Sequence, residues 1–109
     1  MDIGVKSDGT FTIIELNGRF DAHEADPVRE RLVGAISAGA SDLSIDLSGV
    51  TFIDSKALAL LVRSQKECRE GGVNLTLARP SSPVQLIFEL TKLDRAFTIV
   101  DSTELAESA

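Results

Sequence analysis

The 109-residue chain has a net charge of −6, with 43% apolar and 26% charged residues. This balance is ordinary for a globular domain and excludes a disordered chain, and no apolar run reaches the roughly 20 residues that a membrane-spanning helix needs. Lys and Arg are scattered rather than clustered as in nucleic-acid-binding proteins. We therefore predict a single domain over residues 1–109 that neither contacts nucleic acid directly nor inserts into a membrane.

The N-terminal half of the sequence predicts a hairpin, a helix and a strand. Asp8-Gly9 is a hairpin-turn signal, because glycine accepts the positive φ of such turns. Apolar residues recur at spacings of three and four around Pro27, which is tolerated only in a first helical turn. The expected elements are a strand containing Ile3 and Val5, a strand over Phe11–Leu16 ending at a turn at Asn17-Gly18, a helix over Ala22–Ala38, and a strand over Asp42–Ser48 with one buried face.

The C-terminal half alternates helices and strands in the same way. Val50, Phe52 and Ile53 resemble the end of a buried strand, and Ser82-Pro83-Val84-Gln85 has the pattern of a capping box with proline at the first helical position. The expected elements are a helix over Ser55–Glu70 stopped by Gly71-Gly72, a strand over Val73–Ala78, a helix from Ser82, a strand over Phe97–Val100 and a short helix over residues 102–108.

This order of elements predicts the fold class. After the hairpin, strands and helices alternate with short connections, which favours parallel strands of one sheet joined by helical crossovers. The expected fold is α/β, with a mixed β-sheet that begins in an N-terminal antiparallel hairpin. The single cysteine, Cys68, falls on the apolar stripe of its helix and excludes an internal disulfide. With no secretory leader in the sequence, we expect a cytoplasmic protein.

The pair Asp54-Ser55 stands where a predicted strand gives way to a helix. It has three interpretations. Asp and Ser are preferred N-cap residues, so the pair can simply begin the helix. A nucleophilic serine would need a base, but the only histidine, His23, lies in a polar stretch, and no glycine frames the serine as in a nucleophile elbow. A phosphoserine would place a dianion at a helix N-terminus, where anions are accommodated.

Three segments carry a family resemblance: "LNGRFD" at 16–21, "SIDLSGVTFIDSKAL" at 44–58 and "GGVNLTLARPSSPVQLIFELTKLDRAF" at 71–97. With the order of elements, they make the chain resemble the STAS domain of bacterial anti-sigma factor antagonists over essentially its whole length. The resemblance implies a partner that is both an anti-sigma factor and an ATP-dependent serine kinase. The antagonist binds this partner and frees the sigma factor. The kinase phosphorylates the antagonist, which then no longer binds, and a phosphatase resets the switch.

The same resemblance assigns residues. Ser55 matches the phosphorylated serine, Asp54 the carboxylate before it, and Asp21 a family position on the partner-facing surface. After Asp-Ser the family has a small residue and then glycine, whereas this chain has Lys56 and Ala57. Lys56 offsets part of a phosphate's charge, alters kinase choice, or marks a member that is not phosphorylated. We place Asp21, Asp54, Ser55 and Lys56 in the partner-binding surface.

The departure at Lys56 also motivates an alternative, a STAS-like regulatory subunit of a membrane lipid or anion transport system. In neither case do we expect an enzyme, a catalytic residue, a cofactor or a metal. Asp46 and Asp54 could suggest an acidic metal pocket, but Asp46 lies in the middle of its strand and no acidic doublet closes the first long strand. On the last long helix, Leu86, Leu90 and Leu93 lie away from the inward stripe, and we interpret them as part of a broad buried face rather than an interaction patch.

Overall fold

In the computed structural model, which describes residues 1–101, one five-stranded sheet organises the chain in the order β1-β2-β3-β4-β5. β1 and β2 are antiparallel, and all other neighbours are parallel. The elements are β1 (Asp2–Asp8), β2 (Phe11–Phe20), α1 (Ala25–Ser37), β3 (Asp42–Ile53), α2 (Ser55–Glu70), β4 (Asn74–Ala78), α3 (Ser82–Thr91), a 3-10 turn (Leu93–Arg95) and β5 (Ile99–Val100). The predicted α/β class with its hairpin and helical crossovers is confirmed.

The hydrophobic core lies between the helices and the sheet face that carries Ile14, Ile45 and Leu77, which are side by side in register. Alternation along β2, β3 and β4 directs these side chains to one face. α1, α2 and α3 supply the opposing apolar stripes, and Cys68 of α2 is fully buried among them, as predicted. The core residues from the helices are Val28, Leu32, Leu60, Leu61, Val84 and Phe88.

Two strands are longer than predicted. β2 passes through the expected turn at Asn17-Gly18 and continues to Phe20, because both residues stay paired with Gly49 and Val50 of β3 while Gly18 takes a φ of 110°. The register shifts on either side of this pair each place one extra residue in β3. β3 runs on to Ile53, so the predicted strand and the apolar segment after it are one element. The expectation of a single buried face for β3 was wrong, because Ser44 and Asp46 are also buried at the centre of the sheet.

The start of α3 differs from the predicted capping box. The residue before the helix is Ser81, whose hydroxyl donates to the carbonyl oxygen of Val50 at 2.5 Å instead of capping α3, and Pro83 is the second helical residue. The prediction of a broad buried face was wrong for Leu86 and Leu90, which are 55% and 71% exposed, whereas Leu93 packs against the core. The remaining bounds shift by a few residues at α1, β4 and β5, and the helix expected over residues 102–108 lies outside the described residues.

Candidate functional site

The carboxyl ends of β2 and β3 bring the predicted site residues together. The two strands are parallel neighbours, with Phe20 opposite Ile53, so the chain leaves both at the same edge of the sheet. The loop after β2 begins at Asp21, and α2 begins directly after β3. Asp21, Asp54, Ser55 and Lys56 therefore lie on one edge, although Asp21 is far from the other three in sequence.

Asp54 joins the two connections at this edge. One carboxylate oxygen accepts the N–H of Ala57 at 2.9 Å and caps α2, and the other accepts the N–H of Ala22 at 3.0 Å. The Asp54 N–H donates to the carbonyl oxygen of Phe20 at 3.3 Å. The hydrogen bond from Ala57 holds the pKa of Asp54 below its usual value despite some desolvation, and Ala22 and the Lys56 ammonium lower it further. Asp54 is thus the member of the Asp54-Ser55 pair that caps α2, and it is an ionised group beside Ser55.

Ser55 is the first residue of α2, and its side chain is exposed. The neighbouring Lys56 is exposed as well, whereas Ala57 turns into the core and is fully buried. The first N–H groups of a helix have no intrahelical acceptor and give its N-terminus a partial positive charge. The geometry therefore leaves the Ser55 hydroxyl open to a large partner at a point that accommodates added negative charge.

Asp21 shapes the loop that faces α2. Its carboxylate accepts the N–H of His23 at 3.0 Å, and its carbonyl oxygen accepts the N–H of Glu24 at 3.0 Å. The N-cap of α1 is Glu24 and makes no side-chain capping bond, so Asp21 stabilises the turn before the helix rather than capping the helix itself. Asp21 is partly exposed and lies 3.9 Å from the Arg19 guanidinium.

Arg19 and Phe52 belong to the same surface but were missed by the sequence analysis. They are paired across β2 and β3, and the Arg19 guanidinium lies 4.1 Å from the centre of the Phe52 ring. Phe52 had been placed in a buried strand, yet 38% of its surface is exposed. Regular alternation places Phe52 on the buried face with Val50, but a register shift between these two residues turns Phe52 to the other face. The sequence therefore carried no local signal for this exposure.

The buried carboxylate of Asp46 lies apart from this arrangement. Asp46 forms an ion pair with Arg79 at 2.5 Å on the sheet face opposite the core. Burial by itself raises the pKa of Asp46, but the Ser48 N–H and the Arg79 guanidinium outweigh it, and the pKa lies below its usual value. His23 is exposed on the loop after β2. Within residues 1–101, no three His, Cys, Asp or Glu side chains are grouped closely enough to hold a metal ion.

None of the helices in the described part of the chain is long and apolar enough to cross a membrane.

Known proteins resemble this chain in sequence and in fold. The chain is 29% identical to the anti-sigma-B factor antagonist of Bacillus subtilis over 104 residues, which cover 95% of this chain and 94% of that protein. SpoIIAA, an anti-sigma factor antagonist of Bacillus, has the same fold at about 20% identity. Its unphosphorylated form has a TM-score of 0.77 with 98% and 91% of the two chains covered, and its phosphorylated form one of 0.71 with 98% and 95% covered.

A sulfate transporter family protein from Wolinella succinogenes also shares the fold, with a TM-score of 0.72 at 22% identity over 86% of this chain and 79% of that one. At these low identities the solved structures establish the fold and nothing further. The family model for the STAS domain matches residues 2–106. The resemblance drawn from the sequence motifs is thereby confirmed, and the chain belongs to the STAS domain family.

Proposed function

We propose that this chain is an anti-sigma factor antagonist, a non-catalytic binding protein whose partner is an anti-sigma factor and whose switch is phosphorylation of Ser55. The observation that carries the proposal is the exposed Ser55 hydroxyl at the first residue of α2. Membership of the STAS family and the name of the B. subtilis relative support the antagonist role. The same family membership supports a regulatory rather than an enzymatic role.

The partner-binding surface in this proposal is the edge formed by Asp21, Asp54, Ser55 and Lys56, extended by the exposed ring of Phe52. The ring offers apolar contact area, and the charged groups around it fix orientation. The Arg19 guanidinium on the ring and the hydrogen-bonded turn at Asp21 hold this surface in place before any partner binds. A partner then docks without having to order the loop, which favours affinity.

Phosphorylation acts on this surface through charge. It adds about −1.5 to −2 charge at neutral pH, next to a carboxylate whose lowered pKa keeps it ionised. A partner surface that had accommodated a neutral hydroxyl then meets two adjacent anions, and their desolvation opposes docking. The fold stays intact, because the new charge is exposed at the end of α2 where the helix dipole favours it. Lys56 offsets part of the charge.

The experiment is phosphorylation with purified anti-sigma factor kinases from the source genome and ATP, followed by mass spectrometric location of the phosphate. We expect modification at Ser55, none in Ser55→Ala, and loss of anti-sigma factor binding in Ser55→Asp. Ser37→Asp is the matched control, because Ser37 is also exposed but ends α1 rather than beginning α2. No phosphate on Ser55 together with full binding by Ser55→Asp would refute the switch.

The transport-subunit alternative has one observation in its favour, the shared fold of the sulfate transporter family protein. It predicts that the chain binds a permease or a transport ATPase and that Ser55→Asp has no effect on that binding. Affinity capture from the native cell with wild type and Ser55→Asp separates the two: an anti-sigma factor lost in the variant supports the first function, and a transporter retained in both supports the second. Removal of the phosphate from Ser55 by a phosphatase and a cytoplasmic location remain predictions of the first function.

A further inference from the structure

β1 is an edge strand, exposed at every residue except Ile3 and Gly4, which are partly buried. Among residues 1–101, β1 has a strand neighbour on one side only, and Val5 at its centre is 43% exposed. Val5 also borders a surface cleft of about 350 Å³ between β1 and α1, lined in part by Gly34, Ala35 and Ala38. A seven-residue strand with a free edge is a template for pairing with another strand.

The register of the hairpin determines which backbone groups face outward. Asp8 and Phe11 close a two-residue turn, and such closing pairs exchange hydrogen bonds, as does every second pair along the ladder. Lys6, Gly4 and Asp2 therefore bond to β2. Ile3, Val5 and Ser7 direct their N–H and C=O groups toward the open edge.

Gly4 stands at the middle of β1 without an intramolecular reason. Its φ is not positive, and an added Cβ would meet Glu15 atoms only at 3.5 Å and 3.8 Å, which is ordinary contact. Glycine inside a strand costs about 0.5–1 kcal/mol relative to alanine and often marks the close approach of another backbone. Such a backbone would belong to a strand of another chain that pairs with the open edge of β1.

Antiparallel pairing of β1 with its own copy, centred on Gly4, makes every pair complementary. Gly4 faces Gly4 of the second copy as a non-hydrogen-bonded pair, the class in which Cα atoms approach most closely, about 4.5 Å apart. Ile3 faces Val5 on the core side, and their outward backbone groups form hydrogen bonds. Asp2 faces Lys6 on the other side, and two-fold symmetry repeats each pair.

The competing self-pairing, centred on Val5, is less favourable. It places Asp2 opposite Asp8 of the second copy, so that like charges meet twice, and it sets Gly4 opposite Lys6. Charges on an edge strand normally discourage pairing with other chains. The charges on β1 favour only a partner strand with an acid opposite Lys6 and a base opposite Asp2. A second copy of β1 meets both conditions in the Gly4-centred register.

We propose that β1 is a homodimerisation edge, pairing antiparallel with a second copy of this chain about a two-fold axis at Gly4. The inference rests on β1 and not on the proposed function. The dimer extends the sheet across two protomers and leaves both Ser55 surfaces free, since these lie at the carboxyl ends of β2 and β3.

Disulfide trapping tests the register directly. Gly4→Cys places two thiols opposite each other at the axis, within the Cα separation that a disulfide needs, whereas two Lys6→Cys thiols would be about 14 Å apart along the strands. The native Cys68 is fully buried, and burial raises the pKa of its thiol, so it stays unreactive. We expect Gly4→Cys to form disulfide-linked dimers under mild oxidation and Lys6→Cys to form none, because its two thiols do not meet at the axis. Equal cross-linking of the two variants would overturn the proposal.

Charge exchange in the Gly4→Cys background supplies a second readout. Asp2→Lys places lysines opposite each other at two symmetric positions and should slow cross-linking about tenfold, as should Lys6→Asp. The double exchange restores both opposite-charge pairs and should restore the rate. If Asp2→Lys accelerates cross-linking, the Val5-centred register holds and the Gly4-centred dimer is wrong. Failure of the double exchange to recover the rate contradicts the pairing as well. Anti-sigma factor binding is measured in parallel and should not change, which keeps this result separate from the proposed function.

Discussion

Replacing Phe52 with alanine should weaken partner binding far more than it weakens the fold. The side chain lies near the carboxyl end of β3, three residues before Ser55, and its ring contacts the Arg19 guanidinium. A partner docked on this edge covers whatever part of the ring the fold leaves exposed. Truncation removes that apolar contact and leaves Asp54, Ser55 and their hydrogen bonds unchanged.

The magnitude follows from the exposed fraction. A phenylalanine side chain presents about 200 Å², so the 38% that remains exposed corresponds to about 75 Å² available to a partner. At roughly 25 cal/mol per Å² its burial contributes about 2 kcal/mol to binding, and its loss raises Kd about 25-fold. The folded state loses the cation–π contact and some strand packing, which together amount to about 1 kcal/mol.

The assay is titration calorimetry of the chain against its anti-sigma factor, with urea unfolding of each variant in parallel. Val62→Ala is the matched control. Val62 has a similar exposure of 43% and lies on α2, but about two turns beyond Ser55 and outside the proposed surface. Its Kd should stay within about twofold of wild type, since its exposed methyl groups meet no partner.

The reasoning is refuted if Phe52→Ala binds the anti-sigma factor as tightly as wild type while Val62→Ala does not. A Kd that rises only in proportion to the unfolded fraction would also contradict it, because the loss would then come from the fold. Phe52→Leu refines the result: it keeps much of the apolar area and loses the cation–π contact, so its Kd should lie between those of wild type and alanine.

Three further outcomes follow from the structure. Arg79→Met should lower the free energy of unfolding by about 1–3 kcal/mol at pH 7, since it leaves Asp46 buried without its cation. Because the pKa of Asp46 is lowered in the folded state, this stabilisation is present above the unfolded pKa of about 3.9 and is lost as pH falls through the folded value. The difference in unfolding free energy between wild type and Arg79→Met should therefore shrink in acid. Lys56→Ala should make Ser55→Asp more damaging to anti-sigma factor binding by about two- to fivefold, measured as a double-mutant cycle. Phe88→Ala should cost about 3–5 kcal/mol by urea unfolding, because the ring is fully buried against Phe97.

Much of the secondary structure could be predicted from the sequence because its signals are local. The helix over Ser55–Glu70 begins and ends where its N-cap residue and following glycines indicate, and the first residues form the expected hairpin. The capping role of Asp54 is likewise local, since it is fixed by the three residues that follow. The same locality explains two errors. Strand pairing with β1 and β3 overrides the turn signal at Asn17-Gly18, and the Ser81 hydroxyl bonds to Val50 instead of capping α3.

The sequence by itself determined the elements, their order and the presence of an acidic-hydroxyl pair at a strand-to-helix junction. Only the tertiary structure decided what surrounds that pair. The contact of Asp54 with Ala22, the pairing of Arg19 with Phe52 and the burial of Asp46 against Arg79 all join residues about 30 or more positions apart. Exposure and partner contacts depend on strand register and on which helix covers which face, and these are set by the packing of the whole core rather than by the residues nearby.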